Sequence, residues 1–194
     1  MKIGILLMCG IAISLGLDLY ARSVCHGALL SHINKKKLTF GVFVVAIYQI
    51  TLLALGYGAA VFLQASRLSD RGDTINYIIC MTIFTVIAIR MIRFAIKNED
   101  IVEKRQDEKY MKKIFFSLCL QIGFYTFLTG VGFGLVRVVH ISLLGILVLA
   151  GMVGVIAGLF SGYHYGYRLK TKAYAIGGAL LLCMVWCMGN MYVF

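Results

Sequence analysis

The sequence contains no proline and little negative charge, with eight acidic residues against nineteen basic ones in 194. Without proline, no position interrupts the backbone hydrogen bonding of a long helix. Hydrophobic residues make up 61% of the chain, well above the roughly 45–50% that is usual in soluble domains. These features argue against a soluble domain and predict an all-α integral membrane protein surrounded by a lipid bilayer.

The patterns that mark an enzyme or a resident metal are missing as well. No Ser-His-Asp order, phosphate-binding glycine loop or spaced Cys/His cluster occurs in the chain, so neither an enzyme nor a cofactor is expected. The six cysteines are interpreted as small buried apolar groups, although Cys183 and Cys187 share a helix face. Because the basic residues flank apolar runs, the net charge of +11 indicates lipid head groups rather than nucleic acid.

Six apolar runs predict six transmembrane helices. A helix needs about 20 apolar residues to cross the hydrocarbon core of a bilayer. A turn of two or three residues at Arg137 separates the fourth run from the fifth. The runs cover, approximately, residues 3–21, 38–63, 75–96, 114–136, 139–163 and 173–194.

The distribution of Lys and Arg predicts the orientation. Fifteen of these residues lie in or next to the first, third and fifth connections, and four lie in the N-terminus and the other two connections. Cytoplasmic loops carry the excess of basic residues. We therefore expect a multi-pass membrane protein with both termini outside the cytoplasm.

A charged segment at residues 97–113 divides the chain into halves at 1–96 and 114–194. Each half carries three predicted helices, and because three is odd, repeated halves must be inverted relative to one another. Residues 17–27 can be laid over residues 124–134 without a gap. Two inverted three-helix repeats are therefore predicted, with chance similarity between glycine-rich helices as the alternative. The sequence leaves the oligomeric state open, a homo-oligomer included.

Asp18 is the only carboxylate within any of the six runs. An ionised Asp in the hydrocarbon core costs roughly 2.5–3.5 kcal/mol on insertion scales, so its side chain must face a partner, a cavity or an ion. Arg22 and His26 follow at i+4 and i+8 and lie on the same helix face. One interpretation is a cation site connected to the cytoplasm by a polar stripe. The other is a structural Asp18–Arg22 ion pair, with Arg22 and His26 extending to the interface.

The remaining polar groups of the runs are fewer and less specific. Gln49 on the second run is either an interhelical hydrogen-bonding group or an ion ligand. Arg90 and Arg93 are interpreted as anchors at the end of the third run, and His140 and His164 as interfacial residues. Glycines spaced four apart predict a close helix crossing in the fifth run; they are Gly154, Gly158, Gly162 and Gly166.

These residues resemble the bacterial manganese efflux pumps of the MntP type, which are six-span proteins. The first span of that family carries a Ser-Met/Leu-Asp-Ala/Ser-Phe-x-x-Ser motif, and its second span has Gln or Glu shortly before Gly-Trp-x-x-Gly. Similar residues occur here in the same order over most of the chain. They are Asp18, Tyr20, Ser23 and Gly27, then Gln49 with Gly56-Tyr57-Gly58, then Ala88-Ile89-Arg90-Met91, Gly162-Tyr163-His164-Tyr165-Gly166, Lys170-Thr171-Lys172-Ala173 and Gly177-Gly178.

The resemblance implies export of Mn²⁺ from the cytoplasm by alternating access between the two halves. Mn²⁺ favours carboxylate, carbonyl and water oxygens, and it would be the transported substrate rather than a cofactor. Asp18 and Gln49 are then the principal candidate ligands. Ser14, Ser23 and His26 are weaker candidates.

The chain departs from the family pattern at three positions. The family's second Asp, on span 4, corresponds to Tyr125 here. The small residue four positions after the first Asp is Arg22, and Leu53 replaces a proline of span 2. One carboxylate beside one arginine has almost no net charge, which is unfavourable for a dication. Two alternatives therefore remain, a non-transporting membrane scaffold of the same fold and a small-solute exporter of the lysine-exporter type in which Arg22 holds a carboxylate.

Overall fold

The computed structural model describes residues 2–29, 35–65, 72–97, 111–136 and 141–193. It contains six helices, as predicted, and within those residues there is no strand. The predicted turn at Arg137, His140 and most of the charged segment 97–113 lie outside the described residues. The helices are α1 (Lys2–Ala28), α2 (Lys35–Ala65), α3 (Gly72–Ile96), α4 (Met111–Val136), α5 (Ile141–Tyr165) and α6 (Arg168–Val193).

The membrane assignment is confirmed by the helices themselves. Among the described residues, α2 to α6 are five helices long and apolar enough to cross a membrane. Their outer surfaces expose large apolar side chains, for example Phe40, Phe62 and Trp186. Contiguous apolar surface of this kind is unfavourable in water but not in lipid. The helix α1 extends beyond the first apolar run, from residue 21 to Ala28.

The helices pack in a closed ring in the order α1, α6, α3, α4, α2 and α5. The two most extensive contacts are those of α1 with α5 and of α2 with α4. Both join helices from different halves of the sequence, whereas helices of the same half touch little within the described residues. Exchanging α1 with α4, α2 with α5 and α3 with α6 leaves the order of the helices around the ring unchanged. The inverted repeat nevertheless stays a prediction.

The predicted glycine ladder of α5 packs on α1. A Cβ atom on Gly154 or Gly158 would lie 2.5 Å from the carbonyl oxygen of Gly16 or Tyr20, and Gly162 meets the carbonyl of Val24 in the same way. Contact pairs that advance together along both helices mean that α1 and α5 run parallel. Close backbone approach is how membrane helices gain packing energy where lipid provides no hydrophobic drive.

Gly166, the fourth glycine of that ladder, has a different role. It follows the last residue of α5 with a φ of 61°, a left-handed conformation that glycine adopts without steric cost. Its N–H donates to the carbonyl of Gly162 over 2.9 Å, which caps the end of α5. Gly166 therefore ends the helix instead of extending its contact with α1.

Candidate functional site

Asp18 lies in the interior of the ring, where α1 faces α3 and α4. Asp18 is only 4% exposed. Arg22, one turn later on the same helix, donates a hydrogen bond from Nε to Asp18 Oδ2 over 3.0 Å. Arg22 Nη2 also lies 2.9 Å from the same oxygen. The Asp18–Arg22 ion pair, one of the two interpretations of the sequence, is therefore present, and both partners are buried.

Arg90 of α3 is a second cationic partner that sequence reasoning missed. Its Nη2 donates to Asp18 Oδ1 over 2.8 Å and to Oδ2 over 3.0 Å. The interpretation of Arg90 as a flank anchor is wrong, because its guanidinium turns into the bundle, while Arg93 is exposed. No local pattern connects Arg90 with a residue 72 positions earlier, although an arginine inside a predicted apolar run was a signal.

Tyr125 of α4 forms the third side of this cluster. The Arg90 guanidinium carbon lies 3.4 Å from the centroid of the Tyr125 ring, and that of Arg22 lies 4.7 Å from it. Both cations are attracted to the ring electrons. Arg22 Nη1 also donates to the carbonyl of Gln121 on α4 over 2.8 Å. We call Asp18, Arg22, Arg90 and Tyr125 the ionic cluster; it connects α1, α3 and α4.

The charge of the ionic cluster sets what it can bind. Two guanidinium groups face one carboxylate, so the cluster carries one net positive charge when all three groups are ionised. Both Asp18 oxygens already accept hydrogen bonds. In this arrangement Asp18 is occupied by protein cations, and a metal dication has to displace at least one of them.

A small cavity lies on one side of the ionic cluster. We call it the Asp18 cavity; its volume is about 30 Å³, enough for a water molecule or an ion. Gln49, which is 2% exposed, also faces it, and its Oε1 has no hydrogen-bond partner among the described residues. The structure thus brings the two principal candidate ligands to one cavity. Its other polar lining residues are Tyr125, Thr126 and Thr129.

The three weaker candidates lie elsewhere. The Ser14 hydroxyl donates to the carbonyl of Gly177 over 2.6 Å and so connects α1 with α6. Ser23 is buried against Gly158 of α5. Neither serine lines the Asp18 cavity, and His26 lines a second, larger one.

The second cavity lies on the other side of the ionic cluster and has a volume of about 500 Å³. We call it the cationic cavity, because Arg22, Arg90 and Lys170 line it together with His26. Tyr125 lines both cavities. The ionic cluster is therefore the boundary between a site large enough for an ion and a much larger space at the ends of α1 and α3 and the start of α6.

Other candidate ligands do not assemble into a metal site. Within the described residues, no group of three or more His, Cys, Asp or Glu side chains lies close enough to hold a metal ion. Cys183 and Cys187 are exposed on α6. His164 is exposed at the end of α5, with Nδ1 3.0 Å from the carbonyl of Phe160.

A bundle of apolar helices with a buried carboxylate beside an internal cavity is the architecture of a polytopic membrane protein, and an ionisable group inside such a bundle is typical of ion and substrate pathways. A family model described as "Putative manganese efflux pump" matches residues 31–188. The chain belongs to this family, whose description is that of a transporter and not of an enzyme.

Relatives over nearly the whole chain carry the same description. "Putative manganese efflux pump MntP" of Mannheimia succiniciproducens is 26% identical over 182 residues, which cover 88% of each chain. The protein of the same name from Bacteroides fragilis is 24% identical over 180 residues, covering 89% of this chain and 88% of the relative. No solved structure matches the chain.

Proposed function

We propose that this protein exports Mn²⁺, or a divalent cation of similar chemistry, across the bacterial cytoplasmic membrane and that Asp18 is its ion ligand. The observation that carries the assignment is the Asp18 cavity. It combines a carboxylate, the Gln49 amide, and the Thr126 and Thr129 hydroxyls. An oxygen donor set of this kind suits Mn²⁺ better than soft metals.

The arginines act as tethered cations that hold Asp18 when no metal is bound. Arg22 lies on the same helix as Asp18 and stays near it, whereas Arg90 reaches it from α3. A metal ion therefore displaces Arg90 first, which leaves the Asp18–Arg22 pair neutral and makes it easier for a dication to enter. An unpaired charge inside the bundle is costly. Asp18 is therefore paired either with the arginines or with the metal ion, and the state in which it has no partner is strongly disfavoured.

The helices that move against one another during transport are inferred from their packing, and not from the division of the sequence into halves. The α2–α4 pair has extensive internal contact, and so does the group of α1, α5, α6 and α3. Arg22 and Arg90 belong to the second unit and contact Tyr125 of the first. Opening a gap between these two units separates the arginines from Tyr125 and joins the two cavities. We therefore replace alternating access by sequence halves with motion of α2 and α4 against the other four helices.

The direction of transport follows from the distribution of basic residues. With both termini outside, the cationic cavity opens toward the cytoplasm and the Asp18 cavity lies deeper in the membrane. The ion then passes the ionic cluster on its way out. This orientation rests on the fifteen-to-four division of Lys and Arg.

Manganese tolerance tests the proposal directly. In cells that lack their own exporter, expression of this protein should raise tolerance and lower cellular manganese content, and Asp18→Asn should abolish both effects at equal expression. Asp70→Asn, which changes a carboxylate outside the apolar runs, is the matched control and should retain them. Full tolerance with Asp18→Asn would eliminate Asp18 as the ligand.

Gln49 is tested against a second amide of the same helix. Gln64 donates to the carbonyls of Gly134 and Leu135 over 3.2 and 2.8 Å and lines neither cavity. Gln49→Met should weaken Mn²⁺ binding to the purified protein, whereas Gln64→Met should lower thermal stability without changing the affinity. Equal affinities in both variants would remove Gln49 from the site.

A further inference from the structure

The charge of the cationic cavity favours a negatively charged ligand. Arg22, Arg90 and Lys170 line it, and none of the described residues around it is acidic. Asp18, the carboxylate nearest to the arginines, faces the smaller cavity on the other side of the ionic cluster. A cavity of about 500 Å³ is within the range that holds a small molecule or a large head group.

Two donor groups of the arginines make no hydrogen bond within the described part of the chain. Arg90 Nε is buried without a partner, and Arg22 Nη2 is buried without a hydrogen bond although it lies close to Asp18. Unsatisfied donors on buried charged groups are destabilising. Guanidinium groups bind phosphate and carboxylate oxygens with paired hydrogen bonds. The positively charged groups that line this cavity would therefore pair with the oxygens of an anion.

The mouth of the cavity indicates the source of that anion. Leu120 is 70% exposed and Phe124 64% exposed on the outer surface of α4, and both line the cavity. Phe94 of α3 is a third apolar lining residue with an exposed side chain. The cavity therefore opens sideways, toward the acyl chains, at the end of the bundle where α6 begins. Basic pockets between helices on the cytoplasmic side of a membrane bind anionic head groups.

We propose that the cationic cavity binds the phosphate of an anionic phospholipid, with its head group beside Arg90 and Lys170 and its acyl chains against Leu120 and Phe124. Binding at this site does not depend on the proposed ion transport. If Asp18 is the ion ligand, a consequence that rests on the proposed function follows. Phosphate and Asp18 then compete for Arg90, so an occupied cavity makes Asp18 more available to a dication.

The test uses the purified, delipidated protein in a neutral detergent. Melting temperature and native mass spectra are recorded with phosphatidylglycerol, with phosphatidylcholine and with inorganic phosphate, all without Mn²⁺. We expect bound phosphatidylglycerol and a higher melting temperature, with no effect from phosphatidylcholine. Stabilisation by inorganic phosphate but not by the lipid would keep the phosphate site and overturn the lipid as its source. No binding of either would overturn the site.

Lysines two positions apart on α6 provide the matched variants. Lys170 lines the cavity, whereas Lys172 is exposed outside it, and neither belongs to the ionic cluster. Lys170→Gln should weaken phosphatidylglycerol binding about fivefold, the effect of one basic residue near an anionic head group. Lys172→Gln should leave it unchanged. Equal effects of the two substitutions would mean general surface attraction and would overturn the cavity assignment. Because no metal is present, failure here leaves the manganese export results unaffected.

Discussion

Removal of the Asp18 charge is the most informative perturbation of the ionic cluster. Asp18→Asn keeps the shape of the side chain and leaves Arg22 and Arg90 buried without an anion. Breaking a buried ion pair by removing one partner costs about 3–5 kcal/mol. For a chain of this size each kcal/mol lowers the melting temperature by about 2–4 °C, so a loss of about 10 °C is expected.

The arginine variants should be milder, because each leaves Asp18 with one cation. In Arg90→Met, Arg22 still donates to Asp18, and in Arg22→Met, Arg90 does so. Each change removes hydrogen bonds to a charged group, worth about 1.5–3 kcal/mol. Arg90 still holds both Asp18 oxygens after Arg22→Met, whereas Arg90→Met leaves Oδ1 without a protein donor among the described residues. Strong metal binding should therefore require the Arg90 substitution. In the metal-free protein, Asp18→Asn should therefore be the least stable of the three single variants.

The assay is the melting temperature in detergent, recorded with and without Mn²⁺. Adding Arg90→Met to Asp18→Asn should recover part of the lost stability, since one uncompensated charge is removed. Only variants that retain Asp18 should be stabilised by Mn²⁺, and Arg90→Met should be stabilised most. Our reasoning is refuted if Asp18→Asn melts no earlier than Arg90→Met, or if the double variant melts earlier than Asp18→Asn alone.

Three further predictions concern packing, charge and orientation. Gly162→Ala should destabilise the α1–α5 contact, because a Cβ at this position meets the Val24 carbonyl. Gly145→Ala on the same helix is the control, since a Cβ there meets nothing within 4 Å. Equal melting temperatures of the two variants would contradict the packing. Tyr125→Asp adds a second carboxylate to a cluster with one net positive charge and should increase stabilisation by Mn²⁺, which Tyr125→Asn should not reproduce. Single cysteines at positions 70 and 104, in a background without native cysteines, should be labelled from opposite sides of the membrane; labelling at 104 from outside would reverse the orientation.

The sequence alone determined the features that depend on neighbours along the chain. Apolar runs without proline required long helices, and six of them formed. The i, i+4 spacing of Asp18 and Arg22 placed both side chains on one face of α1, so their pair followed from helix geometry. The resemblance to manganese efflux pumps also came from local motifs that follow one another along this chain in the order of the family pattern, and the family comparison confirms it.

Only the tertiary structure decided what surrounds Asp18. Arg90 and Tyr125 reach it from α3 and α4, and pattern within a single helix does not specify which face of another helix it will meet. Gly166 resembled its ladder neighbours in spacing, but its position after the last turn of α5 made it a cap. The extensive contacts of α1 with α5 and of α2 with α4 could likewise not be predicted from the sequence. Membrane helices are apolar on all sides, so their sequences do not show which face will contact which neighbouring helix. The second arginine at Asp18, and with it the net charge of the cluster, emerged only when helices distant in sequence packed together.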